Sequence, residues 1–378
     1  MKKTLLTICL VWMCFSLSAQ KIIDLSGKWS FSIDRQDNGE KEKWFSHTLN
    51  DFINLPGSMP EKLKGDEVTA KTQWTGSLYD SSYYYNPYME KYRKEGNIKF
   101  PFFLTPDKHY VGAAWYQKEV NIPADWKGER ILLFLERPHI ETTVWVNGQK
   151  TGMQNSLCVP HQYDITRYVR PGKCTITIRV DNRIKEINVG PDSHSITDQT
   201  QGNWNGIVGR ICLQTTPKTY FDDIQIYPEP EQKLARVKVV IKGAGITKIK
   251  LSAESFNTDK KHIVPAIQQE IKLNKGVTET EMVLPMGNDM LLWDEFHPAL
   301  YKLKAEVTNG KKTEIREIQF GMRRFEIKGK WFYVNGRKTQ LRGTVENCDF
   351  PLTGYAPMDV ESWERVFRIC RSYGLNHM

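Results

Sequence analysis

Runs of like charge are missing from this chain of 378 residues. Nowhere do five or six acidic or basic residues follow one another, so no nucleic-acid-binding stripe is offered. The 53 Lys+Arg against 44 Asp+Glu, net +9, read instead as a solvated basic surface. Cysteine is sparse and unpatterned. Of seven, Cys9 and Cys14 lie near the amino terminus, and Cys158, Cys174, Cys212, Cys348 and Cys370 show no Cys-x-x-Cys spacing. That argues against a zinc site and leaves either buried thiols or one disulfide among Cys158, Cys174 and Cys212. Histidine spacing brings no set of metal donors together, and His194 reads as a surface residue. A segment long enough to span a bilayer is absent too: the apolar run over residues 5–17 is too short. It follows Lys2 and Lys3 and precedes Ser16-Leu17-Ser18-Ala19, the pattern of a signal peptide over residues 1–19. Neither Cys9 nor Cys14 follows the small residue that a lipid-anchored leader needs. The expectation is a periplasmic or secreted protein.

Helical periodicity is nearly absent as well, and strand patterns fill the gap. With 40% hydrophobic and 26% charged residues the chain is globular, and its length implies two or three domains. Over residues 20–218 short strands alternate with turns. Ile131-Leu132-Leu133-Phe134-Leu135 suits a strand buried on both faces, residues 175–180 alternate with period two, and Asn147-Gly148 marks a tight hairpin. This predicts a jelly-roll sandwich. A second all-β unit, residues 219–325, has the size of an immunoglobulin-like sandwich, with strands at 236–241, 249–253 and 300–307. Residues 326–378 differ. A short strand is expected over 339–346 and another at 375–378, flanking one amphipathic helix over 359–373. Val360, Trp363, Val366, Phe367, Cys370 and Tyr373 share the apolar face of that helix, Asp359 caps it and Gly374 stops it. The fold class is therefore mainly β: two sandwiches, then the first βα unit of an incomplete (β/α)8 barrel.

Several motifs resemble glycoside hydrolase family 2, the β-galactosidase, β-glucuronidase and β-mannosidase group. In order they are Gly112-Ala113-Ala114-Trp115-Tyr116-Gln117-Lys118, Val144-Trp145-Val146-Asn147-Gly148, Tyr163-Asp164-Ile165-Thr166 and Trp204-Asn205-Gly206-Ile207-Val208-Gly209-Arg210. After them come Pro298-Ala299-Leu300-Tyr301, Phe320-Gly321-Met322-Arg323, Phe332-Tyr333-Val334-Asn335-Gly336 and Leu341-Arg342-Gly343. The resemblance implies a retaining exo-β-glycosidase, β-galactosidase-like, acting on terminal β-linked sugars. Retention needs two carboxyl groups about 5–5.5 Å apart. In the family both are glutamates on later barrel strands, the acid/base following an asparagine. No Asn-Glu dipeptide occurs in residues 339–378, and a barrel takes roughly 250 residues. The chain is therefore expected to be the non-catalytic front of such an enzyme and inactive alone, with no catalytic residue of its own.

Candidates for sugar contact remain. Glu346, Asn347 and Asp349 follow the expected first barrel strand, where such barrels bind ligands; Val345-Glu346-Asn347 replaces an Asn-Arg-His type run common among relatives. Asn376 is similar in placement to a supporting asparagine of the family. Asp198, Asn203 and Trp204 lie where a loop of the first domain reaches the barrel mouth in some members. The aromatic run Trp74, Tyr79, Tyr83-Tyr84-Tyr85, Tyr88, Tyr92 and Phe100-Pro101-Phe102-Phe103 could stack on sugars or pack as an insertion. No cofactor or metal is implied. The partners expected are a carbohydrate substrate and a second copy in a homo-oligomer, without nucleic acid or a membrane. A free-standing carbohydrate-binding or adhesion protein of two sandwiches is the alternative.

Overall fold

The computed structural model describes residues 21–76, 81–99, 106–185, 193, 196–198, 202–347, 350 and 353–378. The signal-peptide segment, Tyr79, residues 100–103, His194, Cys348 and Asp349 lie outside them. Two compact units emerge, Pro217–Arg337 and Lys21–Thr216 with Lys338–Met378. Both are built mainly from antiparallel strands.

In the larger unit, one sheet runs in the order Ile22–Asp24, Gly206–Thr216, Arg130–Pro138, His161–Asp164. The other runs Gln149–Asn155, Glu141–Val146, Gly172–Asp181, Ala113–Ile122, Gly27–Asp34, Asp51–Leu55. Trp29, Phe31, Tyr116, Val144, Ile176, Ile178, Leu133 and Leu213 meet between the sheets in one apolar core. The hairpin at Asn147-Gly148 forms as its residues require, with φ of 49° and 76°, both in the left-handed region that a type I′ turn demands.

The alternation at 175–180 undersells this strand. Its outward residues Thr177, Arg179 and Asp181 are buried too. The reason is a second layer: Trp44, Phe45 and Leu49 pack on Trp115 and Trp145 over the outer face of the six-stranded sheet. No disulfide joins Cys158, Cys174 and Cys212, whose thiols are free, the last two buried.

The other unit orders its strands Tyr220–Glu229, Leu234–Phe256, Leu300–Asn309, Lys312–Phe320, with Ile263–Pro285 also on Leu234–Phe256. The strands expected separately at 236–241 and 249–253 are one strand of 23 residues, paired along its length with another of 23. The pair is interrupted where Gly243 faces Gly276 and the register shifts before Gly245. Glycine tolerates the irregular backbone there, with φ of 88° at Gly245 and 113° at Gly276. Val237, Val239 and Ile241 before the break and Ile249, Leu251 and Ala253 after it enter a single core. The two halves of the hairpin thus supply both layers of a sandwich.

Beyond it, Phe325–Lys328 pairs with Trp331–Val334 across a turn, with Asn335-Gly336 (φ 50° and 76°) following before Arg337–Thr339. The strands expected over 339–346 and 375–378 do not form: Thr339 instead ends the strand Arg337–Thr339 of a three-stranded sheet, and only Gly343 and His377 meet, in an isolated parallel bridge. A parallel ladder gains regularity from buried neighbours; here Leu341 and Val345 stay exposed. The helix spans Val360–Ser372, with Asp359 Oδ1 accepting from the Ser362 amide at 2.7 Å and Gly374 in the left-handed region. Among the described residues no helix is long and apolar enough to cross a membrane.

Candidate functional site

The residues singled out by sequence fall into two groups within the larger unit. Asn376 belongs to the first and uses its whole amide on the chain itself. Its Oδ1 accepts from the Arg342 amide at 2.8 Å, its Nδ2 donates to the Gln340 carbonyl at 3.0 Å, and its own N–H donates to the Arg342 carbonyl. Next to it the His377 imidazole lies flush on Gly343, where any side chain would collide with the ring. These contacts fix the start of the segment bearing Glu346 and Asn347, both exposed to solvent.

The second group is buried. Asp198 takes the Asn203 amide on Oδ1 at 2.8 Å and the Thr75 amide on Oδ2 at 2.7 Å, with His109 Nε2 3.3 Å from Oδ2. Asn203 donates to Thr75 Oγ1 and to the Asn182 carbonyl, and Asn182 returns a bond to the Asn203 carbonyl. Asn205 ties the carbonyls of Gly112 and Val180 and receives the Tyr116 hydroxyl at 2.7 Å. Trp204 is 3% exposed. One face of its indole stacks on His139 at 4.5 Å, and Tyr355 leans on it at 5.5 Å. Asp198, Asn203 and Trp204 thus come together as framework, apart from the exposed Glu346 and Asn347.

Sequence reasoning missed the neighbours that complete this group. Tyr355 donates to Glu61 Oε2 at 2.9 Å, Ser58 donates to the Thr353 carbonyl, and the Met358 methyl rests over Gly209. Gly354, at φ +81°, sits where a Cβ would come within 3.0–3.2 Å of the Trp204 side chain. Only this glycine, set beside an aromatic residue, carried a signal of close approach. Burial and the nearby Arg137 charge depress the His139 pKa to about 3, so its ring stays neutral; Asn203 Oδ1 faces it without reaching hydrogen-bond geometry. Burial would raise the Glu61 pKa, but hydrogen bonds from Lys62 and Tyr355 outweigh it and hold the carboxyl below its usual range. Burial and the Glu61 charge push the Tyr355 phenol up.

A second missed cluster lies on the covered face of the six-stranded sheet. Arg179 reaches Asp181 at 3.0 Å, Asp37 at 2.6 Å and Glu141 at 3.4 Å, while Arg183 and Lys185 also contact Asp181. Burial opposes the Asp181 charge, yet hydrogen bonds from Arg183 and Lys185 keep its pKa well below the carboxylate range. Every described carboxyl group with a clearly shifted pKa is shifted down.

The aromatic run divides in the same way. Tyr83 is buried with Trp74, Met89 and Tyr92, whereas Tyr84, Tyr85 and Tyr88 are exposed. Among the described residues no three His, Cys, Asp or Glu side chains converge as a metal set.

Comparison with known proteins places these features. The family model "Glycosyl hydrolases family 2, sugar binding domain" matches residues 22–217, and "Glycosyl hydrolases family 2" matches residues 219–323. A Beta-glucuronidase of Paenibacillus borealis is 23% identical over 89% of this chain and 51% of its own length. A Beta-galactosidase of Thermoanaerobacter pseudethanolicus is 25% identical, over 75% of this chain and 38% of its own. The apo structure of a b-glucuronidase from Ruminococcus gnavus superposes with a TM-score of 0.67 at 19% identity, over 95% of this chain and 54% of that one. The chain spans about half the length of curated relatives such as the first.

Proposed function

Because the chain belongs to glycosyl hydrolases family 2, we propose that it is the non-catalytic front part of an exported retaining exo-β-glycosidase. The observation that carries this reading is the succession of two family domains across residues 22–323 in a chain spanning about half of such relatives. On this reading the two units are a jelly roll and an immunoglobulin-like sandwich, and the parallel bridge Gly343–His377 with helix Val360–Ser372 begins the (β/α)8 barrel. Catalysis then falls to two glutamates outside the described residues. The substrate is a terminal β-linked sugar, a β-galactoside or, from the named relatives, a β-glucuronide. The basic, apolar, small-residue order of residues 1–19 supports export to the periplasm or medium.

The test is paired. This chain alone should turn over no chromogenic β-galactoside or β-glucuronide, while the product of its encoding frame read beyond Met378 should hydrolyse one of them with retention. Hydrolysis by the chain alone that Glu346→Gln abolishes, or a longer frame without two barrel glutamates, would sink the reading.

A further inference from the structure

Residues 81–99 form a small frame of their own inside the larger unit. Tyr83 is 1% exposed and packs with Trp74, Met89 and Tyr92. Its hydroxyl donates to the Tyr92 carbonyl at 3.0 Å, and the Arg93 guanidinium donates to the Tyr83 carbonyl. The Lys99 amide and the Asn97 side chain donate to the carbonyls of Tyr92 and Lys91. Asn86 caps the 3₁₀ helix Pro87–Tyr92, its Oδ1 accepting from the Tyr88 amide at 3.0 Å. In a 3₁₀ helix side chains three apart eclipse one another. Met89 and Tyr92 accordingly share the inward face, which sets Tyr88 and Lys91 together on another, about 6 Å apart along the axis. Both are exposed, Tyr88 by 85%, and Tyr85, just before the cap, is exposed by 73%. The frame is packed inward, yet it turns two tyrosines to solvent.

We propose that Tyr85, Tyr88 and Lys91 form a binding surface for an acidic polysaccharide, carboxylated or sulfated. The inference rests on the glycosidase reading above for the ligand being a sugar polymer. A tyrosine ring presents a negative π-face, on which the CH-bearing face of a pyranose stacks, and its hydroxyl hydrogen-bonds at the rim. Held on a capped, hydrogen-bonded frame, such rings lose little freedom when ligand arrives, which favours binding. Charge sets the sign of the ligand. Residues 81–99 carry Lys91, Arg93, Lys94 and Lys99 against Glu90 and Glu95, and Lys94 pairs with Glu90 at 3.3 Å. Lys91 stands one turn on from Tyr88, its ammonium 4.8 Å from the Tyr92 ring centre, a point charge that meets carboxylate or sulfate alike. A protein partner is favoured by a contiguous apolar patch, whereas here the exposed Glu90, Lys91 and Lys94 follow the tyrosines.

Affinity electrophoresis of the chain itself tests this with defined probes: polygalacturonate for carboxylate, dextran sulfate for sulfate, and dextran as the uncharged parent of the latter. Retardation is expected in at least one acidic polymer and not in dextran. Tyr85→Ala combined with Tyr88→Ala should weaken it by about tenfold, a common loss for aromatic anchors. Tyr88→Phe, which keeps the ring, should stay within about twofold of the parent. Lys91→Gln should weaken binding by about threefold and flatten its dependence on salt. Melting of these variants should match the parent, because the substituted side chains are exposed. Retardation that the tyrosine pair leaves unchanged would overturn the proposal, since any basic surface would then suffice. Retardation in neither acidic polymer, or equally in dextran, would overturn it too. The glycosidase reading fails separately: absence of turnover by the product of the longer frame would sink that reading, while binding by this chain, which needs no turnover, still decides the tyrosine surface.

Discussion

Two sandwiches of one chain are filled in opposite ways. Among the described residues, the interior of Pro217–Arg337 buries only Thr219, Thr247 and Glu314 as polar or charged groups, against an otherwise apolar core. The first sandwich keeps an apolar core too, but around it buries His139, His161, Arg179, Asp181, Asn182, Asn203 and Asn205. An apolar core asks mainly for volume and tolerates substitution of similar size. A buried polar network asks for partners at set angles, so it fixes where backbone segments lie. Asn182 and Asn203 do this by tying Tyr110, Gly112 and each other, and Asn205 by tying Gly112 and Val180. The unit that carries the candidate contact residues is the one whose interior dictates loop position, and the other has the interior of a spacer.

The contrast can be broken most sharply at Asp181. Asp181→Ala strips Arg179, Arg183 and Lys185 of a buried partner and should cost about 3–5 kcal/mol in urea unfolding. Leu303→Ala in the second sandwich should cost a comparable 2–5 kcal/mol, roughly, through cavity formation alone. A loss under about 1 kcal/mol at Asp181 would put the two interiors in one class.

Acid should separate them next. Burial holds His139 at about 3 and His161 at about 4, below the free value of 6.5. Below pH 6.5 the unfolded chain takes up protons that the folded one refuses. Stability present above that pH is therefore lost as pH falls toward those values, at about 1.4 kcal/mol per unit for each histidine. Calorimetry at pH 7 and 4.5 should show the first sandwich losing melting temperature and His139→Gln recovering part of it; equal losses in both sandwiches would refute the assignment. The smallest effect is expected at Thr247→Val. It removes a single 2.7 Å bond to the Thr308 carbonyl and should cost about 1 kcal/mol, with no effect of pH.

Local devices were legible in the sequence, and distant ones were not. Asn147-Gly148, Asp359 and Gly374 announce a turn, a cap and a stop because their conformational demands are met within a few residues. All three form as read. Trp204 is different. Its fate depends on Tyr355 and His139, far off in the chain, and no periodicity encodes a ring stacking across such a distance. Burial of Thr177 and Arg179 was hidden likewise, because the cover supplied by Trp44, Phe45 and Leu49 comes from an irregular segment. Alternation reports one covered face and is silent about the second. The strands read separately at 236–241 and 249–253 are one, Leu234–Phe256, because Gly243 and Gly245 bend a strand that stays paired.

That bend bears on the order of events when the protein forms. Joining Gly243 to Gly276 closes a short stretch of chain, and zipping outward from it lays down strand in both layers at once. The first sandwich must instead bring Ile22 to Gln214 before its outermost strand has anywhere to go. Closing the longer loop costs more entropy and slows the search. The later-synthesised sandwich is thus expected to acquire its protected amides first, which pulse-labelled exchange during refolding would detect as early protection around residues 236–241 and 278–283. A hairpin bent at facing glycines thus gives the sandwich made second the shorter loops to close.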